Sequence, residues 1–186
     1  MLILDTGYQA DMETIGVTWG FRGRKELEDA GANFVVDEPF EIGEIVLMIG
    51  VSACLIGENC TYSGKNNLVL GLKRLYELGE VVCVCPEVMG GLSTPRNPAE
   101  IQSVEPLLIT TNQQVDVTKE YLEGAKKAMS IFLAHDVKVA IFKIRSPSCG
   151  CDGIYDGTFS HKLIDGQGVF AKMCEEHGIK VFMRNK

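Results

Sequence analysis

The sequence has no apolar run approaching the roughly 20 residues that a helix needs to cross a bilayer. Its N-terminus also lacks the basic, apolar and small-residue succession of a secretory leader. These absences predict a soluble, cytoplasmic protein with no membrane partner. A basic face is missing too, because 18 scattered lysines and arginines stand against 25 acidic residues for a net charge of −7. A chain of that sign does not neutralise a phosphate backbone in bulk, so a small-molecule partner is expected and nucleic acid is disfavoured. Low-complexity tracts and long tandem repeats are absent. Histidine is scarce, and His135, His161 and His177 all fall outside the cysteine motifs, so none is assigned a metal.

What is present is enough apolar material for a core, 46% of 186 residues, which suits one globular domain or one domain with an appendage. The seven cysteines are an odd number, and a reducing cytosol keeps most thiols unpaired. Metal binding or catalysis therefore competes with plain burial as their explanation.

From residue 48 the chain alternates strands and helices. Short apolar runs rich in β-branched residues predict strands at 49–53 (IGVSA), 81–85 (VVCVC), 139–145 (VAIFKIR) and 179–183 (IKVFM). Helical spacing predicts helices at 66–78, on a stripe of Leu68, Leu72, Leu75 and Leu78, at 118–134 with Thr118 as N-cap, and at 168–178. Residues 86–112 read as a long, proline-bearing loop. The order predicts an α/β fold: a three-layer domain whose mostly parallel sheet is flanked by helices.

Cys54, Cys85 and Cys149 then fall at the carboxyl ends of three strands, Cys85 ending its own, the edge where open parallel sheets bind ligands. Each has Gly or Pro close by, in SACLIG, CPEVMGG and SPSCG, so backbone can approach a bound group. Three thiolates around one point suit zinc with an open position or a 4Fe-4S cluster with one free iron, and spacing leaves both open. Cys83 and Cys174 read as small core residues, Cys60 and Cys151 as supporting or incidental thiols. A non-catalytic iron-sulfur or zinc module for handling sulfur stands as the alternative to an enzyme.

The motifs VSACLIGENCTYSG (51–64), VCPEVMGGLSTPRNPAEI (84–101), SPSCGCDGIYDGTF (146–159) and GQGVFAKMCEEHGIKVF (166–182) together resemble the thiouracil desulfurase family over residues 48–186. The resemblance implies a 4Fe-4S cluster held by Cys54, Cys85 and Cys149. It implies conversion of 2-thiouracil, or a related thiolated pyrimidine, to the oxo form with release of hydrogen sulfide. The open iron would bind the thiocarbonyl sulfur while water attacks the adjacent carbon, without net redox change. The attacking water needs a proton acceptor, and Glu87 in CPE is the candidate, with Ser52 and Ser146 beside it. Ser148, Arg96 and Tyr155 are candidate substrate contacts, Arg96 also reading as a planar clamp on a carboxylate. Free base, nucleoside and thiolated RNA all stay open as substrates.

Residues 1–47 are of another kind. LDTGYQADMET and GVTWGFRGRKELEDAGANFVVDEP resemble the C-terminal end of a phosphoglycolate-phosphatase-like member of the haloacid dehalogenase superfamily. The resemblance gives Asp5, with Asp11 as a second candidate, the place of a magnesium ligand there, yet the nucleophilic aspartate segment is missing. A truncated strand, helix and strand without a catalytic role is expected, with Trp19 and Phe21 either packed on the rest of the chain or exposed.

Overall fold

Contacts along the chain separate two units after Leu47, and the computed structural model describes residues 14–39, 41 and 48–184. In the first unit, β1 (Ile15–Val17), α1 (Arg24–Asp29) and β2 (Phe34–Val36) form the expected strand, helix and strand, the strands parallel with Ile15 opposite Phe34. Leu27 of α1 packs onto Gly16, where an added Cβ would come within 3.1 Å of the Leu27 Cβ. Trp19 and Phe21 are exposed. Asp5 and Asp11 lie outside the described residues.

The second unit runs β3 (Ile49–Ser52), a 3-10 turn (Ala53–Ile56), α2 (Leu70–Glu77), β4 (Val81–Val84), α3 (Pro86–Met89), β5 (Ala99–Val104) and β6 (Leu107–Thr111). It continues with α4 (Thr118–Ala134), β7 (Val139–Lys143), β8 (Ile154–Tyr155), β9 (Leu163–Ile164), α5 (Val169–Glu176) and β10 (Lys180–Arg184). Strands β10, β7, β3 and β4 lie side by side in that order, all parallel. Successive side chains point to opposite faces, so each strand feeds two cores. Val51 and Val81 pack with Leu55 and Leu72 on the α2 side. Val84, Ala140 and Phe142 pack with Phe132 of α4 and Phe170 of α5 on the other. The three phenylalanines meet with centroids 5.2 to 6.2 Å apart, each fully buried ring contributing about 1.5–3 kcal/mol. The expected three-layer architecture is therefore present. From β3 the chain goes to β4 on one side and later to β7 on the other, which makes the carboxyl end of β3 a topological switch point.

Three expectations are corrected. Residues 66–69 are not helical, because Asn67 N–H and Val69 N–H bond the Cys54 and Leu55 carbonyls at 2.8 Å each; with those amides tied to the turn after β3, the helix begins at Leu70, and Leu78 beyond its end is exposed. Thr118 is the first helical residue rather than the N-cap, and Asp116 Oδ1 accepts from both its N–H (2.9 Å) and its hydroxyl (2.6 Å). The segment 86–112 is no plain loop. It holds α3 and the antiparallel hairpin β5–β6, with a bulge between Ile101 and Ser103, over a small core of Ile101, Ile109, Val117, Tyr121 and Ile154. Among the described residues no helix is long and apolar enough to cross a membrane.

Candidate active site

Each strand-end cysteine is fixed by its own local device. After β3 the chain enters the 3-10 turn containing Cys54, and Gly57 then reverses it at φ 104, a left-handed conformation that glycine adopts without a side-chain clash. Cys85 sits at the start of α3, and the Val88 N–H reaches its sulfur. Cys149 lies in a loop closed by Ser146, whose Oγ accepts from Ser148 N–H (3.1 Å) and Cys149 N–H (3.2 Å). Behind that loop, the first free amides of α5, at Val169, Phe170 and Ala171, bond the carbonyls of Pro147 and Ser148 at 2.9 to 3.1 Å. Gly168 lets the two backbones touch, since a Cβ there would fall 2.5 Å from the Ser148 carbonyl. The GQGVFAKM motif thus serves as the support of the SPSCG loop.

Cys54, Cys85 and Cys149 all line one cavity of about 670 Å³, and a fourth thiol, Cys60, lines it with them. Cys60 is tied into the site through its backbone, its carbonyl accepting from Cys85 Sγ at 3.8 Å and from Arg96 Nη2 at 3.1 Å. The neighbouring Cys60 thiol holds the Cys54 and Cys85 thiols below their ordinary pKa, against the opposing effect of burial. Its own proton is correspondingly hard to remove. Burial pushes the Cys149 thiol well up, although a hydrogen bond from Ser52 favours its thiolate. Cys151 lies outside the cavity lining, 3.9 Å from Asp152 Oδ1, its thiol pushed up to about 11 by burial and that carboxylate.

Glu87, Ser146 and Arg96 form one network at the cavity wall. Ser146 Oγ donates to Glu87 Oε1 at 3.1 Å. Arg96 donates Nε to Glu87 Oε2 at 3.1 Å and pairs the same oxygen through Nη2, in a contact mostly shielded from solvent. Its remaining N–H groups reach the carbonyls of Cys60 and Ser93 and the Thr94 hydroxyl at 3.1 to 3.2 Å. One guanidinium therefore joins three loops. Burial works against its charge, but the Glu87 carboxylate more than offsets that and raises its pKa.

The other expected site residues divide. Ser52 is buried at the cavity, its Oγ accepting from Lys143 N–H at 3.1 Å. Tyr155 lines the cavity, edge-on to His161 with ring centroids 5.8 Å apart. Ser148 is not brought to the cavity: it is 1% exposed, and its hydroxyl has no partner among the described residues. Tyr121, Lys143 and Glu100 line the cavity without having stood out in the sequence; Tyr121 reads as helix stripe and Glu100 falls in what looks like a loop.

No group of three His, Cys, Asp or Glu side chains among the described residues is placed to hold a single metal ion. Tetrahedral zinc, with Zn–S bonds of ~2.3 Å, would bring its sulfurs to about 3.8 Å of one another. Four thiols lining one cavity, two of them biased towards thiolate, are a soft donor set of the kind that holds an iron-sulfur cluster.

Comparison with known proteins points the same way. The 2-thiouracil desulfurase family profile matches residues 49–186. The uncharacterized protein YbbK of Bacillus subtilis (strain 168) is 40% identical over 146 residues, which is 75% of this chain and 97% of YbbK. The solved structure of the [4Fe-4S]-dependent thiouracil desulfidase TudS superposes with a TM-score of 0.69 at 38% identity, over 74% of this chain and 91% of that one. The chain belongs, through residues 49–186, to the 2-thiouracil desulfurase family.

Proposed function

We propose that the protein is an iron-sulfur-dependent desulfurase that converts 2-thiouracil, or a related thiolated pyrimidine, to the oxo compound and hydrogen sulfide. The observation that carries this reading is the meeting of Cys54, Cys85 and Cys149 at one cavity beside the Glu87–Ser146 pair. The likeness to a structure named as a [4Fe-4S]-dependent thiouracil desulfidase supports it. Cys54, Cys85 and Cys149 hold the 4Fe-4S cluster. Bound there, it supplies a soft Lewis acid for the thiocarbonyl sulfur, which polarises the carbon attached to it.

The reaction exchanges sulfur for oxygen: thiocarbonyl plus water gives carbonyl plus hydrogen sulfide, with no electrons gained or lost. The chain's own residues handle the water and its protons. Arg96 fixes Glu87 through Oε2 and leaves Oε1 directed at Ser146. A water bound against Glu87 Oε1, which Ser146 Oγ steadies, gives one proton to the carboxylate as its oxygen adds to the carbon; Glu87 passes that proton to the sulfur, and as the C–S bond breaks the added hydroxyl's proton follows through the same carboxylate, so both water protons leave as hydrogen sulfide. Ser52 holds the end of β7 and the Cys149 sulfur in place. Tyr155 forms a wall for the ring, and Ser148 acts through its backbone. Residues 1–47, whose sequence resembles the C-terminal end of a haloacid-dehalogenase-like protein, take no part in the chemistry, and the enzyme works on a small molecule in the cytoplasm.

Anaerobic reconstitution followed by a sulfide-release assay with 2-thiouracil tests this. Wild type releases sulfide, while Glu87→Gln loses about 10²–10⁴-fold in kcat with its iron content unchanged. Iron-loaded, brown protein that releases no sulfide from any thiopyrimidine would instead mark a non-catalytic sulfur-handling module.

A further inference from the structure

Two carboxylates line the cavity, and they are unequally occupied. Glu87 has both oxygens engaged, Oε2 by Arg96 and Oε1 by Ser146. Glu100, on β5, is 6% exposed and makes one side-chain hydrogen bond among the described residues, accepting from Phe159 N–H at Oε2 (2.9 Å). No cation pairs with it there. Its directly opposed neighbour on β6, Thr110, has a buried hydroxyl with no partner, so that group does not serve the Glu100 carboxylate either. A carboxylate can accept about four hydrogen bonds, and burying one with a single donor and no counter-ion is costly. The remaining oxygen, Oε1, is left for what enters the cavity.

We propose that Glu100 is a specificity-determining residue of this cavity, its free carboxylate oxygen accepting a ring N–H of the pyrimidine. This rests on the desulfurase reading above. A 2-thiopyrimidinone carries N–H donors on the nitrogens flanking the reacting carbon, and a charge-assisted N–H···O bond to one of them is strong and directional. Such a bond fixes which ring edge faces the thiols. The same carboxylate also steadies the loop opposite: Phe159 is held at φ 58, Gln102 Nε2 donates to the Gly157 carbonyl at 2.9 Å, and a Cβ on Gly157 would come 2.9 Å from the Ile101 carbonyl. A purely structural Glu100 would do only this second job.

Glu100→Gln separates the two roles. Glutamine keeps an oxygen for Phe159 N–H but presents an NH₂ donor to a ring N–H donor. Reconstituted full-length protein is titrated calorimetrically, without oxygen, with uracil, 1-methyluracil and 3-methyluracil, which carry the same ring edges and are not consumed. Iron content and thermal unfolding are followed in parallel. The expected result is a roughly 10–100-fold weaker Kd for uracil in Glu100→Gln, with iron and unfolding temperature unchanged. One of the two methyluracils, weak already with wild type, loses nothing further from the substitution. Equal losses for all three ligands, no loss for any, or a loss that follows iron content or unfolding would overturn the proposal. Wild type that releases sulfide while uracil binding ignores Glu100 sinks this proposal alone; wild type that neither binds uracil nor releases sulfide sinks the desulfurase reading itself.

Discussion

Residues 15–36 and residues 49–84 share one plan, a strand, a helix and a second parallel strand, yet they end in different surroundings. Beyond β1 and β2, the polar groups pair with one another at the surface: Thr18 Oγ1 donates to Asp37 Oδ1 at 2.8 Å and Arg24 to Asp37 Oδ2 at 2.8 Å. Exposed pairs of this kind contribute little. Beyond β3 and β4, the chain runs into Cys54, Cys60, Cys85 and Glu87, all held from behind by further elements. The difference teaches that a strand end becomes a reactive edge through what braces it. The second unit has two more parallel strands, helices on both faces, and loops tied by backbone; the described part of the first has Leu27 and Val36 as its buried hydrophobic residues.

The strongest way to test that bracing is to push the backbones apart. Gly90 of the CPE loop and Gly124 of α4 touch, and a Cβ on Gly124 would sit 1.9 Å from the Pro86 carbonyl. Gly124→Ala should cost ~3 kcal/mol or more in denaturant unfolding, whereas Gly23→Ala, with nothing within 4 Å, should stay within about 0.5 kcal/mol. Equal effects would break the comparison. Next comes ligand replacement inside the second unit: Cys149→Ser is expected to lose iron, the brown colour and sulfide release, while Cys151→Ser keeps all three, by iron analysis and visible absorbance. The smallest effect belongs to removal of residues 1–47, after which iron content and kcat/KM for thiouracil should remain within about twofold, because every cavity-lining residue lies between Ser52 and His161. A large loss on truncation would give the first unit a part in the site.

The four strands of the sheet are readable in the chain because runs such as VVCVC and VAIFKIR are apolar, β-branched and too short for helices. Cys54, Cys85 and Cys149 follow from the rule about strand ends. Cys60 is not readable in that way, because its return to the site depends on the left-handed turn at Gly57 and on the Asn67–Cys54 backbone bond, which are tertiary events. The β5–β6 hairpin is hidden for a local reason: Ala99-Glu100-Ile101-Gln102 alternates for only four residues before Ser103, and the bulge between Ile101 and Ser103 breaks the two-residue period. Glu100 was concealed with it. Thr118 reads as a cap because its hydroxyl suits one, but that hydroxyl accepts from Ile109 N–H at 2.9 Å instead, and Asp116 Oδ1 takes the Thr118 N–H at 2.9 Å.

The contact between Gly90 and Gly124 has a consequence for how such an enzyme changes over time. Main chain sets the position of α3 against α4, since a Cβ on either glycine would fall about 2 Å from a carbonyl oxygen of the other helix. The hairpin β5–β6 and the segment 154–161, which border the cavity, can then change sequence without moving α3 against α4.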